Sequence, residues 1–207
     1  MSASSRAPRR RPHLVLINAS LAGATGNTAA AFTVIRKHLA RRARVTVLTL
    51  AGNAPHGTAL RFADIQATLA TADGFLFGTG NHWDSWSSVL QTLLEDATLS
   101  EGSKLWLGKP AAVVVTEHSV GGKGVLSRLQ GVLVTFGCAI PPMSGLVISK
   151  STQIAAHHDA DAANDFWTAS DLPIVCHNLI EAAAGTHRWR AWSVDREDFS
   201  KRWIDVP

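Results

Sequence analysis

Residues 13–28 read His-Leu-Val-Leu-Ile-Asn-Ala-Ser-Leu-Ala-Gly-Ala-Thr-Gly-Asn-Thr. Residues 14–17 form an apolar run, long enough for a buried parallel strand and too short for a helix. Residues 18–28 are then small hydroxyl, amide, alanine and glycine residues, interrupted only by Leu21. Beyond them, Phe32, Ile35 and Leu39 recur at helical spacing in an alanine-rich stretch. Strand, small polar loop and helix start together make an arrangement that holds a phosphate. The free N–H groups of a helix's first turn point outward, and the helix dipole favours an anion there. Ser20, Thr25, Asn27 and Thr28 add side-chain donors, while Gly23 and Gly26 let the backbone turn and approach closely. The loop lacks the Gly-Lys-Ser/Thr ending of a Walker A loop and the Gly-x-Gly-x-x-Gly of a dinucleotide fold. Several neutral donors without a lysine suit a phosphate monoester better than a triphosphate with magnesium. The plain alternative is an ordinary strand-to-helix turn, where these residues are common anyway.

Further along, strands and helices alternate. Residues 44–50 alternate and are β-branched, which predicts a second strand and a right-handed βαβ unit. Residues 51–58 read as a loop, and Phe62, Ile65 and Leu69 mark a short helix. Residues 75–77 are a third strand. Residues 78–85, Gly-Thr-Gly-Asn-His-Trp-Asp-Ser, form a second informative loop. Trp86, Val89, Leu90, Leu93, Leu94 and Ala97 then make one apolar helical stripe, which Asp84 or Ser85 would cap. Residues 111–116 are a fourth, valine-rich strand, and residues 117–124 a third loop. Leu126, Leu129, Leu133 and Phe136 predict the next helix, and Ile140 with residues 146–148 the fifth strand region. Residues 149–170 read as polar and irregular. Leu172, Val175, Cys176, Leu179, Ile180 and Ala183 give a last helix, stopped at Gly185. Five strands alternating with five helices predict an α/β fold, a doubly wound parallel sheet with helices on both faces. Its ligands bind beyond the carboxyl ends of the strands, at the switch point. The loops after strands one, three and four meet at that edge in the order 2-1-3-4-5.

The chain has 207 residues, 46% hydrophobic and 17% charged, which fits one α/β domain with an extension. Its formal charge of +4 comes from a basic arm, residues 1–12, with Arg6, Arg9, Arg10 and Arg11 and no acid. Without those four, 16 basic residues face 16 acidic ones. A neutral body argues against a nucleic-acid-binding face, and the arm reads as solvated and disordered. It is no secretory signal, because no apolar core follows its arginines ahead of the first strand. Residues 129–149 carry no charge, but glycines and Pro141-Pro142 break them, so no membrane span is expected. Cys138 and Cys176 lie far apart, which suits two reduced thiols in a cytoplasmic protein. Residues 186–207, with Trp189, Trp192 and Trp203, form a Trp-rich C-terminal extension, read as a packed arm or oligomer contact.

Residues 13–185 resemble the flavodoxin-like superfamily, most closely its FMN-dependent NAD(P)H oxidoreductases and quinone reductases. Three loops carry the resemblance: residues 20–28 with their Thr25-Gly26-Asn27-Thr28 core, Gly78-Thr79-Gly80-Asn81 before an amphipathic helix, and residues 116–122. It implies a flavodoxin-like five-stranded fold with FMN bound and NADPH or NADH as co-substrate. Ser20, Thr25, Gly26, Asn27 and Thr28 inherit the phosphate role. Gly78, Thr79, Gly80, Asn81, His82 and Trp83 inherit the loop along the flavin ring. Thr116, Glu117, His118, Ser119, Gly121 and Gly122 inherit the loop that closes over its other edge. The expected activity is hydride transfer from NAD(P)H through the flavin to a quinone or similar acceptor, by a homodimer or homotetramer. A flavin-binding electron carrier without its own turnover is the alternative. Where these reductases carry Pro-Glu-Tyr-Asn in the second loop, this chain has Gly78-Thr79-Gly80-Asn81-His82-Trp83, and it has no tyrosine. No catalytic acid or base is required of the protein, since the flavin carries the hydride chemistry.

Other candidates read as structural. His157, His158, Asp159 and Asp161 are suited to an exposed loop rather than a metal site. Ser119 lacks a nucleophile-elbow context. Trp83 either stacks on the flavin or anchors the following helix, and Trp86 reads as core.

Overall fold

Side chains at 14 and 16 pack on one face of the first strand, and those at 15 and 17 on the other. That period of two feeds two apolar layers, so the strand needs helices on both sides. A computed structural model describes residues 10–51, 59–158, 166–185 and 188–191. Its sheet has five parallel strands: β1 (His13–Asn18), β2 (Arg44–Thr49), β3 (Gly74–Gly80), β4 (Ala111–Glu117) and β5 (Gly145–Ser149). Their order is β2-β1-β3-β4-β5, as the sequence pattern predicts. The helices are α1 (Asn27–Leu39), α2 (Phe62–Ala70), α3 (Ser88–Ala97), α4 (Gly122–Phe136), α5 (Lys150–His158) and α6 (Leu172–Ala183). Helices α1 and α6 cover the face that carries Leu14, Leu16, Leu76 and Val114. Helices α2, α3 and α4 cover the face that carries Val15, Ile17, Phe75 and Phe77.

Three expectations are corrected. Residues 150–158 are helical rather than irregular: α5 buries none of its residues, so it shows no apolar stripe. Helix α3 begins at Ser88 and is capped by Ser87, whose Oγ accepts the Leu90 N–H, rather than by Asp84 or Ser85. Trp86 precedes that helix, packs at the edge of the core and donates its indole N–H to Gln91 Oε1 at 2.8 Å. Ile140 lies outside β5.

The end of the basic arm is held. Arg10 pairs with Asp73, and Arg11 donates to the carbonyls of Ala40 and Ala43. Arg6, Arg9, the loop at 52–58, Asp159, Asp161, Trp192 and Trp203 lie outside the described residues. No helix among the described residues is long and apolar enough to cross a membrane.

Candidate functional site

The loop after β1 is built on its own backbone. Asn18 donates from Nδ2 to Gly23 O and accepts the Ser20 N–H at Oδ1. Ser20 Oγ accepts the Ala22 N–H, and Thr25 Oγ1 donates to Ala22 O. Helix α1 follows with Gly26 at its N-cap and no side-chain cap. The first-turn N–H groups of Asn27, Thr28 and Ala29 therefore have no acceptor within the helix. A Cβ at Gly26 would lie 2.7 Å from Ser20 Oγ and 2.8 Å from Ala22 Cβ, so only glycine fits the turn. Thr28 is wholly buried, and its Oγ1 lies 3.1 Å from Thr116 Oγ1, which ties α1 to β4. Thr28 thus turns its side chain inward, and it is Asn27 beside it that lines the cleft.

The loop after β3 is fastened at Thr79, also wholly buried. Thr79 Oγ1 accepts the Ser87 N–H, and Ser87 Oγ donates to Ala19 O. Residues 82–85 form a tight turn: the His82 N–H donates to Ser85 O at 2.8 Å and the Ser85 N–H to His82 O at 3.0 Å. Trp83 and Asp84 at its centre take φ of 52° and 55°. Non-glycine residues seldom adopt this left-handed conformation, and such outliers concentrate at functional sites. The turn leaves Trp83 fully exposed at 102%, so it anchors none of the described residues. The anchoring indole is that of Trp86.

The loop after β4 starts at Glu117. Its Oε2 accepts the Gly122 N–H at 2.6 Å, which places a carboxylate at the N-terminus of α4, where the helix dipole favours it. The same oxygen accepts from Asn81 Nδ2 at 3.0 Å. Asn81 Nδ2 also donates to Val120 O at 2.9 Å, so the second and third loops are stitched together. Gly121, at φ 97°, has Asn81 and Asp84 against its α-carbon and leaves no space for a side chain. His118 and Ser119 are exposed, and Ser119 O accepts from Ser149 and Ser151.

The three loops meet at the carboxyl edge, where β1 and β3 adjoin. A cleft of about 280 Å³ there takes its walls from all of them: Ser20, Gly26 and Asn27, then Gly80, Asn81 and His82, then Thr116, Glu117 and His118. A second cleft of about 410 Å³ shares Asn27, Thr116 and Glu117 and adds Lys150 and Gln153 from α5. Sequence reasoning missed these two, because the segment that holds them lacks helical periodicity.

The donor set fits a flavin mononucleotide. An uncapped helix start and a glycine turn suit a phosphate, and a ring with both donors and acceptors suits the tied loops. One observation demands a donor there: Asn81 Oδ1 is buried without a hydrogen-bond partner among the described residues. No group of three or more metal-ligating side chains occurs among the described residues. Neither thiol lies at the cleft. Burial pushes Cys138 and Cys176 each up to about 12, which makes them inert as nucleophiles.

Comparison with known proteins agrees with this geometry. RosB, solved with a bound 8-demethyl-8-formylriboflavin-5′-phosphate intermediate, superposes with a TM-score of 0.66 at 10% identity, over 95% of this chain and 96% of that one. The NADH:FMN oxidoreductase EmoB, in its apo form, gives 0.61 at 17% identity over 83% and 89%. The flavoenzyme NAD(P)H:(acceptor) oxidoreductase FerB from Paracoccus denitrificans gives 0.59 at 20% identity over 83% and 97%. At these identities the likeness shows the flavodoxin-like fold. No curated protein matches in sequence. A family model for the NADPH-dependent FMN reductases matches residues 12–153, well over half of the chain. The chain therefore belongs to the NADPH-dependent FMN reductase family, as an FMN-dependent oxidoreductase with NAD(P)H as electron donor.

Proposed function

We propose that the chain is an NAD(P)H:acceptor oxidoreductase that reduces a quinone, with FMN held across the cleft of the three loops. The observation that supports this most is the meeting of an uncapped α1 start with the two tied loops at one edge. When bound, FMN supplies the hydride chemistry, and the protein supplies orientation and electrostatics. In this reading the first-turn N–H groups of Asn27 and Thr28 hold the phosphate, with Ser20, Thr25 and Gly26 shaping the turn. Thr28 and Thr116 keep α1 in register with β4. Gly78, Thr79 and Gly80 bring the second loop to the ring. Asn81, His82 and Trp83 line one side of it, and residues 116–122 line the other. The exposed Trp83 indole offers an apolar face at the rim, where a planar acceptor docks. Leu21 and Val120, on the first and third loops, are exposed as well, which suits cover by a second copy in a homodimer or homotetramer. Two unpaired thiols suit the reducing cytoplasm.

Anaerobic titration of the FMN-loaded protein with NADPH and NADH, followed by steady-state assay with a soluble quinone, tests the reading. Reduction and steady turnover are expected. Reduction without quinone turnover would instead mark an electron carrier. Trp83→Ala is expected to raise the quinone KM and weaken FMN, with the melting temperature of the flavin-free protein unchanged. A variant with wild-type FMN affinity and quinone kinetics removes the indole from the site.

A further inference from the structure

The third loop divides two hollows. Glu117 and His118 wall the cleft of the three loops, while Glu117, Ser119, Val120 and Gly121 wall a second pocket of about 500 Å³. The two adjoin across the Glu117 side chain. Unlike parts of the sequence meet in the second pocket. The first turn of α4 brings Lys123, the first turn of α5 brings Ser151 and Thr152, and Phe166 and Trp167 add two aromatic rings. Trp167 is 43% exposed, and Lys123 Nζ lies 5.8 Å from the centroid of its ring. That is close to the outer limit of a cation–π contact, about 6 Å, so the ammonium leaves the indole at little cost. Ser151 Oγ donates to Ser119 O and Thr152 Oγ1 to Ser149 O, so both hydroxyl oxygens remain as acceptors. The carboxylate at the border is engaged: Glu117 Oε2 accepts from the Gly122 N–H and from Asn81 Nδ2. Among the described residues that line the pocket, Lys123 is the one cation.

These parts suit a phosphorylated aromatic base. Lys123 matches a phosphate, Trp167 offers a π-face for the base, and Ser151 and Thr152 accept from ribose hydroxyls. The pocket stands off from the flavin cleft by the width of one side chain, so a compact acceptor that reacts at the flavin does not need it. The electron donor does. A nicotinamide dinucleotide is two nucleotides joined by a pyrophosphate, and only one of them has to meet the flavin. We propose that the pocket of Lys123 and Trp167 holds the adenosine half of NAD(P)H, with Lys123 on its phosphates and the adenine against the Trp167 indole. The proposal rests on the flavin reading above, which puts the nicotinamide half in the adjoining cleft. The plain alternative is that Lys123 only pins Trp167 to α4, which predicts a lower melting temperature for its variants and unchanged donor affinity.

The test is the anaerobic reductive half-reaction of the FMN-loaded protein, followed by the loss of flavin absorbance as donor concentration is varied. It needs no acceptor and gives a donor dissociation constant. NADPH is compared with dihydronicotinamide mononucleotide, which lacks the adenosine half. Lys123→Met keeps the stem and removes the charge; it and Trp167→Ala are each expected to weaken NADPH about tenfold. Both are expected to bind the mononucleotide as wild type does, and Lys123→Arg is expected to restore NADPH affinity. A second readout involves no electron transfer: isothermal titration with ADP-ribose, which lacks the nicotinamide, is expected to show the same loss of about tenfold in Lys123→Met. Melting confirms that each variant is folded, and if Trp167→Ala is not, Lys123→Met and Lys123→Arg still decide. Wild-type affinity of Lys123→Met for NADPH or for ADP-ribose overturns the proposal and leaves the flavin reading standing. An equal loss for NADPH and for the mononucleotide also overturns it, since the effect then passes through the flavin cleft. A wild type whose flavin NADPH does not reduce overturns the flavin reading and this proposal with it.

Discussion

Gly26 and Thr28 sit two residues apart and act on the site by different routes. In sequence both belong to a donor-rich loop. In the fold, Thr28 has spent its hydroxyl on Thr116, while Gly26 keeps the turn open in front of the helix N–H groups. Gly26→Ala drives a methyl group into Ser20 Oγ and Ala22 Cβ, an overpacking worth about 1–3 kcal/mol. It is expected to weaken FMN about tenfold while leaving riboflavin, which lacks the phosphate, nearly unaffected. Isothermal titration with both ligands checks this, and an equal loss for both means that the turn does not serve the phosphate. Thr28→Val, by contrast, is expected to lower the melting temperature through the lost bond to β4. The chemistry of each residue type was legible in the sequence. Which hydroxyls point inward was not, because Thr116 lies 88 residues away from Thr28 in the chain.

At the scale of elements, α3 is held at its N-cap. Ser87 is buried, caps the helix through Leu90, donates to Ala19 O below the first loop and takes Thr79 Oγ1 at its own N–H. Ser87→Ala loses the cap, about 1 kcal/mol, and strands the Ala19 carbonyl, about 1–3 kcal/mol more. Urea unfolding is expected to show a loss of about 2–4 kcal/mol. A loss below about 0.5 kcal/mol, typical of a surface substitution, would mean that the first and second loops are not coupled through this side chain. The strands and the core helices could be read because their apolar spacing reports burial directly. The start of α3 could not, since Trp83 and Asp84 take left-handed φ without the glycine that ordinarily signals it. Helix α5 was hidden for the opposite reason: it buries nothing, so its residues keep no period.

For the whole molecule, the held end of the arm sets one limit and the buried thiols another. Removing residues 1–9 spares Arg10 and Arg11, whereas removing residues 1–11 deletes their contacts with Asp73, Ala40 and Ala43. Melting is expected to be unchanged by the shorter truncation and lowered by the longer one; equal melting of both would make the arginine contacts idle. The thiols act through pH. Burial holds Cys138 and Cys176 up to about 12 in the fold, while an unfolded thiol titrates near 8.5. Between about pH 9 and 12 the folded chain keeps two protons that the unfolded chain has lost, so stability falls as pH rises. Below that window both states are protonated and the thiols contribute no slope. Lys109, which burial lowers, works in the opposite sense, since its charged form is the disfavoured one in the fold. The comparison is therefore made against a Cys138→Ala/Cys176→Ala double variant that keeps Lys109. Its melting temperature is expected to decline less steeply than wild type from pH 9 to 11, whatever its absolute value. Parallel slopes would show that the thiols are already ionised or accessible in the fold, and a thiol reagent at pH 8 would then label the native protein, which on the present geometry it does only after unfolding.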